Sequence, residues 1–293
     1  MSVSPPPTIA PPRPRRSLLY LPGSNARALE KARTLRCDGV ILDLEDSVAP
    51  DAKALARDQV IAALTIGGFG RREVVVRVNG LETPWGEADL EALAHAAPDA
   101  VLVPKVQDAG DIARYDARLG AYPERVRLWA MIETCRSLFH LEGLASAGRT
   151  SRLACLVMGV NDLAKEMGAE LEPGRAPFLG ALSLSVAAAR AHGLGVIDGV
   201  FNGLEDEAGL EQECRQGRAF GFDGKTLIHP GQIATCNRVF SPSPDQIAWA
   251  GAVVEAFASP ENASLGAIRV NGKMVERLHL AQAERILAMR AAD

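Results

Sequence analysis

From Ser17 onward, short apolar and β-branched runs recur along the chain. Each ends in polar or glycine positions and is followed by residues at helical spacing. The runs are SLLYLPG (17–23), GVILDLED (39–46), EVVVRVNG (73–80), AVLVPK (100–105), RLWAMIET (127–134), LACLVMG (153–159), GVIDGV (195–200) and GFDGKTLIHP (221–230). Runs that are apolar at successive positions are buried on both faces, and connections of helix length require parallel pairing. Eight such units in succession predict an α/β fold, a (β/α)8 barrel, in preference to an open doubly wound sheet. No G-x-G-x-x-G follows the first run and no G-x-x-x-x-G-K-[ST] occurs, so dinucleotide and P-loop readings lose their main support.

After the eighth unit the pattern changes. VFSPSPDQ breaks the repeat, a helix is predicted over 244–257, and SPENASLG reads as a linker. AIRV-NG-KMVE predicts a β-hairpin, because Asn271-Gly272 suits the positive φ values of a type I′ turn. A closing helix follows. The expected layout is a disordered proline-rich leader over 1–15, a barrel over 16–240 and a hairpin-plus-helix lid over 241–293, the lid being too small to hold a core alone.

Composition narrows the function. With 32 Lys+Arg against 36 Asp+Glu the net charge is −4, which lacks the basic excess of a protein that grips nucleic acid. No apolar run approaches the roughly 18 residues of a membrane span. The leader MSVSPPPTIAPPRPRR has no apolar core of a secretory signal. Five cysteines without a C-x-x-C pair indicate neither a disulfide framework nor a thiolate zinc site, and a cytoplasmic location is expected.

In a barrel the active site forms at the C-terminal ends of the strands, so the polar residues that finish each run carry the chemistry. They are Asp43, Glu45 and Asp46, then Arg77 and Asn79, Lys105, Glu133, Asp162 and Asn202. Five carboxylates at one mouth would repel unless a cation balanced them. An all-oxygen set without paired His or Cys suits Mg²⁺, or Mn²⁺, and magnesium uses one or two protein carboxylates. Glu133 and Asp162 fit that demand, with helix capping as the alternative for each acid. Arg77, inside VVVRVNG, is costly unless it faces a polar mouth, where its fork suits a substrate carboxylate; a structural ion pair with Glu45 or Asp46 is the alternative. Lys105 admits a Schiff-base aldolase reading, but that needs a lowered pKa, and nearby carboxylates raise it.

These blocks together resemble the citrate lyase β-subunit-like branch of the superfamily containing malyl-CoA lyase, citramalyl-CoA lyase and the HpcH/HpaI aldolases. The resemblance runs through RSLLYLPGSN, DGVILDLEDSVAPDAK, VVRVNGLETPWG, VLVPK, MIET, GVNDLA, GKTLIHPGQI and NGKMVE. It implies a Mg²⁺-dependent carbon–carbon lyase that splits, or forms, a 3-hydroxyacyl-CoA such as citramalyl-CoA or malyl-CoA, with acetyl-CoA and a 2-oxo acid as the other side of the reaction. Citryl-acyl-carrier cleavage, malyl-CoA hydrolysis and a non-catalytic subunit that keeps the metal site are the alternatives. It further implies Glu133 and Asp162 as metal ligands, Arg77 as a catalytic residue that binds the oxo acid, and Glu133 and Asn161 as further substrate-binding residues. Glu45, Asp46 and Lys105 would hold ligands and waters in place. Tyr20 and Lys31 would lie near the adenine and phosphates of CoA, and Ile228 and His229 would line the thioester. Glu276 would be the acid/base where malyl-CoA lyases carry an aspartate, and Asn25 stands where they often carry an arginine. A homotrimer or hexamer is expected from the same resemblance.

Overall fold

The computed structural model describes residues 13–262 and 264–291. The expected leader therefore lies, over residues 1–12, outside the described residues. Arg15, assigned to its end, is part of the barrel. Its guanidinium pairs with Glu73 through bonds of 2.6 and 2.7 Å and stacks 4.7 Å from the Trp129 ring centre.

Eight parallel strands close into a barrel in chain order: β1 (Ser17–Pro22), β2 (Gly39–Asp43), β3 (Glu73–Arg77), β4 (Ala100–Val103), β5 (Arg127–Ile132), β6 (Leu153–Met158), β7 (Gly195–Asp198) and β8 (Gly224–Leu227), with β8 pairing back onto β1. Side chains alternate across a strand, so each run feeds two apolar layers. Leu18, Ile41, Val75, Leu102, Trp129, Val157 and Ile197 fill the interior. Leu19, Leu42, Val76, Val101, Leu156 and Val196 belong to the layer that meets the surrounding helices. That double burial is why the runs show no polar alternation. Gly224 opens β8 because a Cβ there would lie 1.8 Å from the Arg15 carbonyl oxygen, where the incoming chain crosses.

The outer layer has a polar exception. Asp198 and Lys225 are register partners on β7 and β8, and both are fully buried. Lys225 Nζ reaches Asp198 Oδ2 at 3.2 Å and Glu213 Oε1 at 2.6 Å, while Arg175 Nη1 holds Asp198 Oδ1 at 2.7 Å. Burial alone would raise the Asp198 pKa; the two cations outweigh it and hold the carboxyl below its ordinary value.

Residues from Ser241 onward pack as a separate unit. A helix over Pro244–Ala258 is capped by Ser243 and Gln246, each side chain bonding the other residue's backbone N–H. Strands β9 (Ala267–Val270) and β10 (Lys273–Glu276) pair antiparallel, and Asn271 and Gly272 turn between them at φ of 49° and 79°, as the Asn-Gly pair predicts. A helix over Arg277–Ala291 follows. This unit differs from expectation in having an apolar cluster of its own: Val253, Phe257, Ile268, Val270, Val275 and Ile286 are buried together. Its hairpin and two helices each turn one apolar face toward the others, which the length argument overlooked.

Candidate active site

Asp43 ends β2 and Arg77 ends β3, directly opposite in register and both facing the interior. The Arg77 fork is therefore bidentate on Asp43, with Nε and Nη2 each 2.7 Å from a carboxylate oxygen. Asp43 also accepts the backbone N–H groups of Glu45 and Ser47, so it shapes the following turn. Burial would raise the Asp43 pKa, but Arg77 overrides it and holds the group ionised. The third guanidinium nitrogen, Nη1, faces the mouth: Glu45 Oε2 lies at 2.9 Å, Asp46 Oδ2 at 3.6 Å and Met131 Sδ at 3.7 Å. The alternative ion pair with Glu45 and Asp46 is thus present, but Asp43 is the principal partner.

The loop carrying Glu45 is held from beneath. Lys53, buried at the start of the helix Lys53–Ile66, donates to the carbonyls of Leu44 at 2.8 Å and Glu45 at 2.7 Å. Asn79 donates to the Leu44 carbonyl as well, and is itself fixed by the buried Asp89. Burial raises the Glu45 pKa, and Arg77 and Lys105 pull it back. The Lys105 ammonium hydrogen-bonds Glu45 Oε1 and sits 3.6 Å from Asp46 Oδ1. Burial would lower the Lys105 pKa, but Glu45, Glu133 and Asp46 prevail and raise it. That is the direction opposite to a Schiff-base lysine.

Lys105 adopts φ 52°, in the left-handed region that a branched or long side chain seldom occupies. Its backbone N–H thereby donates to Glu133 Oε1 at 2.7 Å. The other oxygen, Oε2, is buried and has no hydrogen-bond partner, although Glu133 is only 1% exposed. Burial, the largest influence, pushes the Glu133 pKa up to about 8, with Glu45 adding to the rise and Arg77 opposing it. Gly159, after β6, leaves the room: a Cβ there would lie 2.3 Å from Oε2. Glu133 and the half-buried Asp162, in the first turn of the helix Val160–Met167, line one cavity of about 560 Å³ together with Lys105, Thr134 and Lys165.

A buried carboxylate oxygen without a donor needs a proton or a cation. Among the described residues no cluster of three or more His, Cys, Asp or Glu could hold a metal alone. Two carboxylates with room for water match magnesium, which keeps several waters. The residues present therefore fit the ion.

The remaining expected residues are distributed as follows. Tyr20 stands inside the mouth on β1, its ring centre 4.9 Å from the Arg77 guanidinium carbon. Asn161 pairs reciprocally with Asn202 and lines a second cavity of about 240 Å³. Lys31 is exposed at the end of the helix Ala26–Lys31, whose cap is Asn25, accepting from the Ala28 N–H. Ile228 and His229 are exposed after β8; their N–H groups donate to Gln232 Oε1, and His229 Nδ1 accepts from Gly231. Glu276 ends β10 in the C-terminal unit, where its N–H donates to His279 Nδ1. Sequence reasoning named Asp43 only among the strand-end acids and missed Lys53. The alternation of β2 could have put Asp43 on the interior face; nothing in the local pattern marks Lys53.

Comparison with known proteins supplies the wider frame. The profile of the family described as HpcH/HpaI aldolase/citrate lyase matches residues 16–230. The chain is 48% identical to a (3S)-malyl-CoA thioesterase of Cereibacter sphaeroides over 95% of its length and 98% of that protein. It is 34% identical to an L-malyl-CoA/beta-methylmalyl-CoA lyase of the same species, over 97% of its length and 96% of that protein. The crystal structure of the protein CitE from Mycobacterium tuberculosis in complex with magnesium, acetoacetate and coenzyme A superposes with a TM-score of 0.75. That match has 29% identity and covers 94% of this chain and 97% of the other.

Proposed function

The chain belongs to the HpcH/HpaI aldolase/citrate lyase family, and on that premise we propose that it is a magnesium-dependent enzyme of the malyl thioester of coenzyme A, hydrolysing it to malate and free coenzyme A. The observation that carries the chemistry is Glu133 Oε2, a buried carboxylate oxygen without a partner in a cavity that Asp162 also lines. The choice of substrate rests on the similarity to the malyl-CoA thioesterase, which spans nearly the whole of both chains. This reverses the order expected from the sequence, in which carbon–carbon cleavage of citramalyl-CoA or malyl-CoA came first.

Glu133 and Asp162 would hold the ion, and when bound it would supply Lewis-acid polarisation of the substrate oxygens. Arg77 Nη1 would bind the substrate carboxylate, since its other two nitrogens are committed to Asp43. Asp43 keeps that guanidinium from turning away, and Glu45 and Lys105 keep the wall beside it balanced in charge. Hydrolysis adds water to the thioester carbonyl and releases the thiol of CoA, and the proton lost by the water passes to a carboxylate base. Glu276 is the proposed base, on the sequence resemblance alone. A homotrimer or hexamer is proposed on the same ground, and a cytoplasmic location on the five cysteines without a C-x-x-C pair. Among the described residues no helix is long and apolar enough to cross a membrane.

The second reading, cleavage to acetyl-CoA and glyoxylate, is favoured by the malyl-CoA lyase relative. The test is turnover of (3S)-malyl-CoA with Mg²⁺, following free thiol and the carbon products together. Thiol with malate supports hydrolysis. Acetyl-CoA with glyoxylate selects the lyase, and neither product, with metal bound, removes both. Glu276→Ala turning over at the wild-type rate would remove Glu276 from the reaction.

A further inference from the structure

β1 sends Leu18 and Tyr20 to the barrel interior, with Tyr20 the nearer of the two to the mouth. Its ring lies flat against Arg77, so the phenol is built into the same wall as the guanidinium. Its hydroxyl meets Met131 Sδ at 3.9 Å, and Arg77 Nη1 meets the same sulfur at 3.7 Å. A thioether is a weak acceptor, and a buried phenol hydroxyl normally finds a better one. Two donors, on β1 and β3 either side of β2, thus converge on one poor acceptor in the mouth; Arg77 Nη1 also faces Glu45 Oε2 at 2.9 Å, whereas the acceptor the Tyr20 hydroxyl meets is this sulfur. A carboxylate entering above Met131 offers two oxygens, one for each donor.

We propose that the Tyr20 hydroxyl and Arg77 Nη1 together form a two-donor fork for the acid end of the substrate, a 2-hydroxy or 2-oxo carboxylate, which makes Tyr20 a substrate-binding residue of the mouth rather than of the adenine site. The inference rests on the malyl thioester reading. It also deepens it, because the fork recognises the acid half of the substrate independently of the CoA half. Tyr20→Phe removes only the donor, since the ring that stacks on Arg77 is kept.

The experiment is calorimetric titration of the full chain, loaded with Mg²⁺, with malate, with glyoxylate and separately with free CoA. Tyr20→Phe is expected to weaken malate and glyoxylate about tenfold, the loss of one hydrogen bond to a charged group. CoA affinity and melting temperature should be unchanged. A change of less than threefold for both acids overturns the proposal, as does an equal loss for CoA, which would mean that the hydroxyl acts on the fold. Wild-type protein that binds neither acid overturns it too. Failure of the hydrolysis reading is seen separately, as wild-type protein that binds malate but releases no thiol from malyl-CoA.

Discussion

Gly159→Ala should uncouple metal binding from folding, because the added methyl group is aimed at one atom pair. The Cβ would lie 2.3 Å from Glu133 Oε2, 2.5 Å from Glu133 Cβ and 3.1 Å from Met131 Cε. A carbon in van der Waals contact needs roughly 3.5 Å, so the carboxylate must yield by about 1 Å. It cannot rotate freely, since Oε1 is tied to the Lys105 N–H at 2.7 Å and the side chain is almost fully buried. Gly159 itself has φ −107°, which alanine tolerates, so the effect is packing and not backbone strain. Overpacking of this kind costs about 1–3 kcal/mol. Displacing a ligand by ~1 Å can cost on the order of 100-fold in a function that needs its geometry. The expected result is a melting temperature lowered by several degrees and a Mg²⁺ affinity lowered at least about tenfold, read by calorimetry on folded protein at 20 °C. Gly143→Ala, in the helix Leu141–Ser146 with nothing within 4 Å of the new Cβ, is the control and should leave both unchanged or gain slightly in stability. If Gly159→Ala binds Mg²⁺ within twofold of wild type, Oε2 is not a metal-facing atom and the site is misassigned.

Other substitutions test the same framework. Arg77→Met leaves the buried Asp43 carboxylate without its counter-charge and should cost about 3–5 kcal/mol in urea unfolding; a cost under ~1 kcal/mol would mean that Asp43 takes up a proton cheaply. Asp198, with its pKa depressed in the fold, contributes stability that is present above the unfolded carboxylate value of about 4 and is lost as pH falls through the lower folded value. Asp198→Asn should therefore be destabilising at pH 7 and lose much of its penalty near pH 2, a convergence that urea midpoints at the two pH values would reveal. Lys105, with its pKa raised by Glu45, Glu133 and Asp46, should form no imine. Mass spectrometry after glyoxylate and cyanoborohydride should find no adduct at this residue, and an adduct would restore the Schiff-base aldolase reading.

What could be read in the chain was whatever follows from local periodicity and turn chemistry. Runs that stay apolar through both faces mark strands inside a closed barrel, and the eight runs correspond to β1 through β8. Asn271-Gly272 specifies its turn without help from the rest of the fold, because positive φ is a property of those two residues. The polar ends of the runs were equally visible, and with them the set Asp43, Glu45, Arg77, Lys105 and Glu133. Partner choice was not visible, because it depends on register between strands separated by 30 to 60 positions. That Arg77 closes on Asp43 follows from β2 and β3 pairing those two residues side by side. That Glu133 keeps one oxygen unbonded follows from a left-handed Lys105 on one side and a glycine after β6 on the other. Tyr20 was assigned by resemblance to the CoA arm, and it is the pairing of β1 and β3 on either side of β2 that brings its ring against Arg77. The sequence by itself determined the elements and the inventory of charges, since both are set by each residue and its near neighbours. The tertiary structure alone decided which charges are satisfied and which atom is left open, because desolvation and hydrogen bonding act between groups that only the closed barrel brings together.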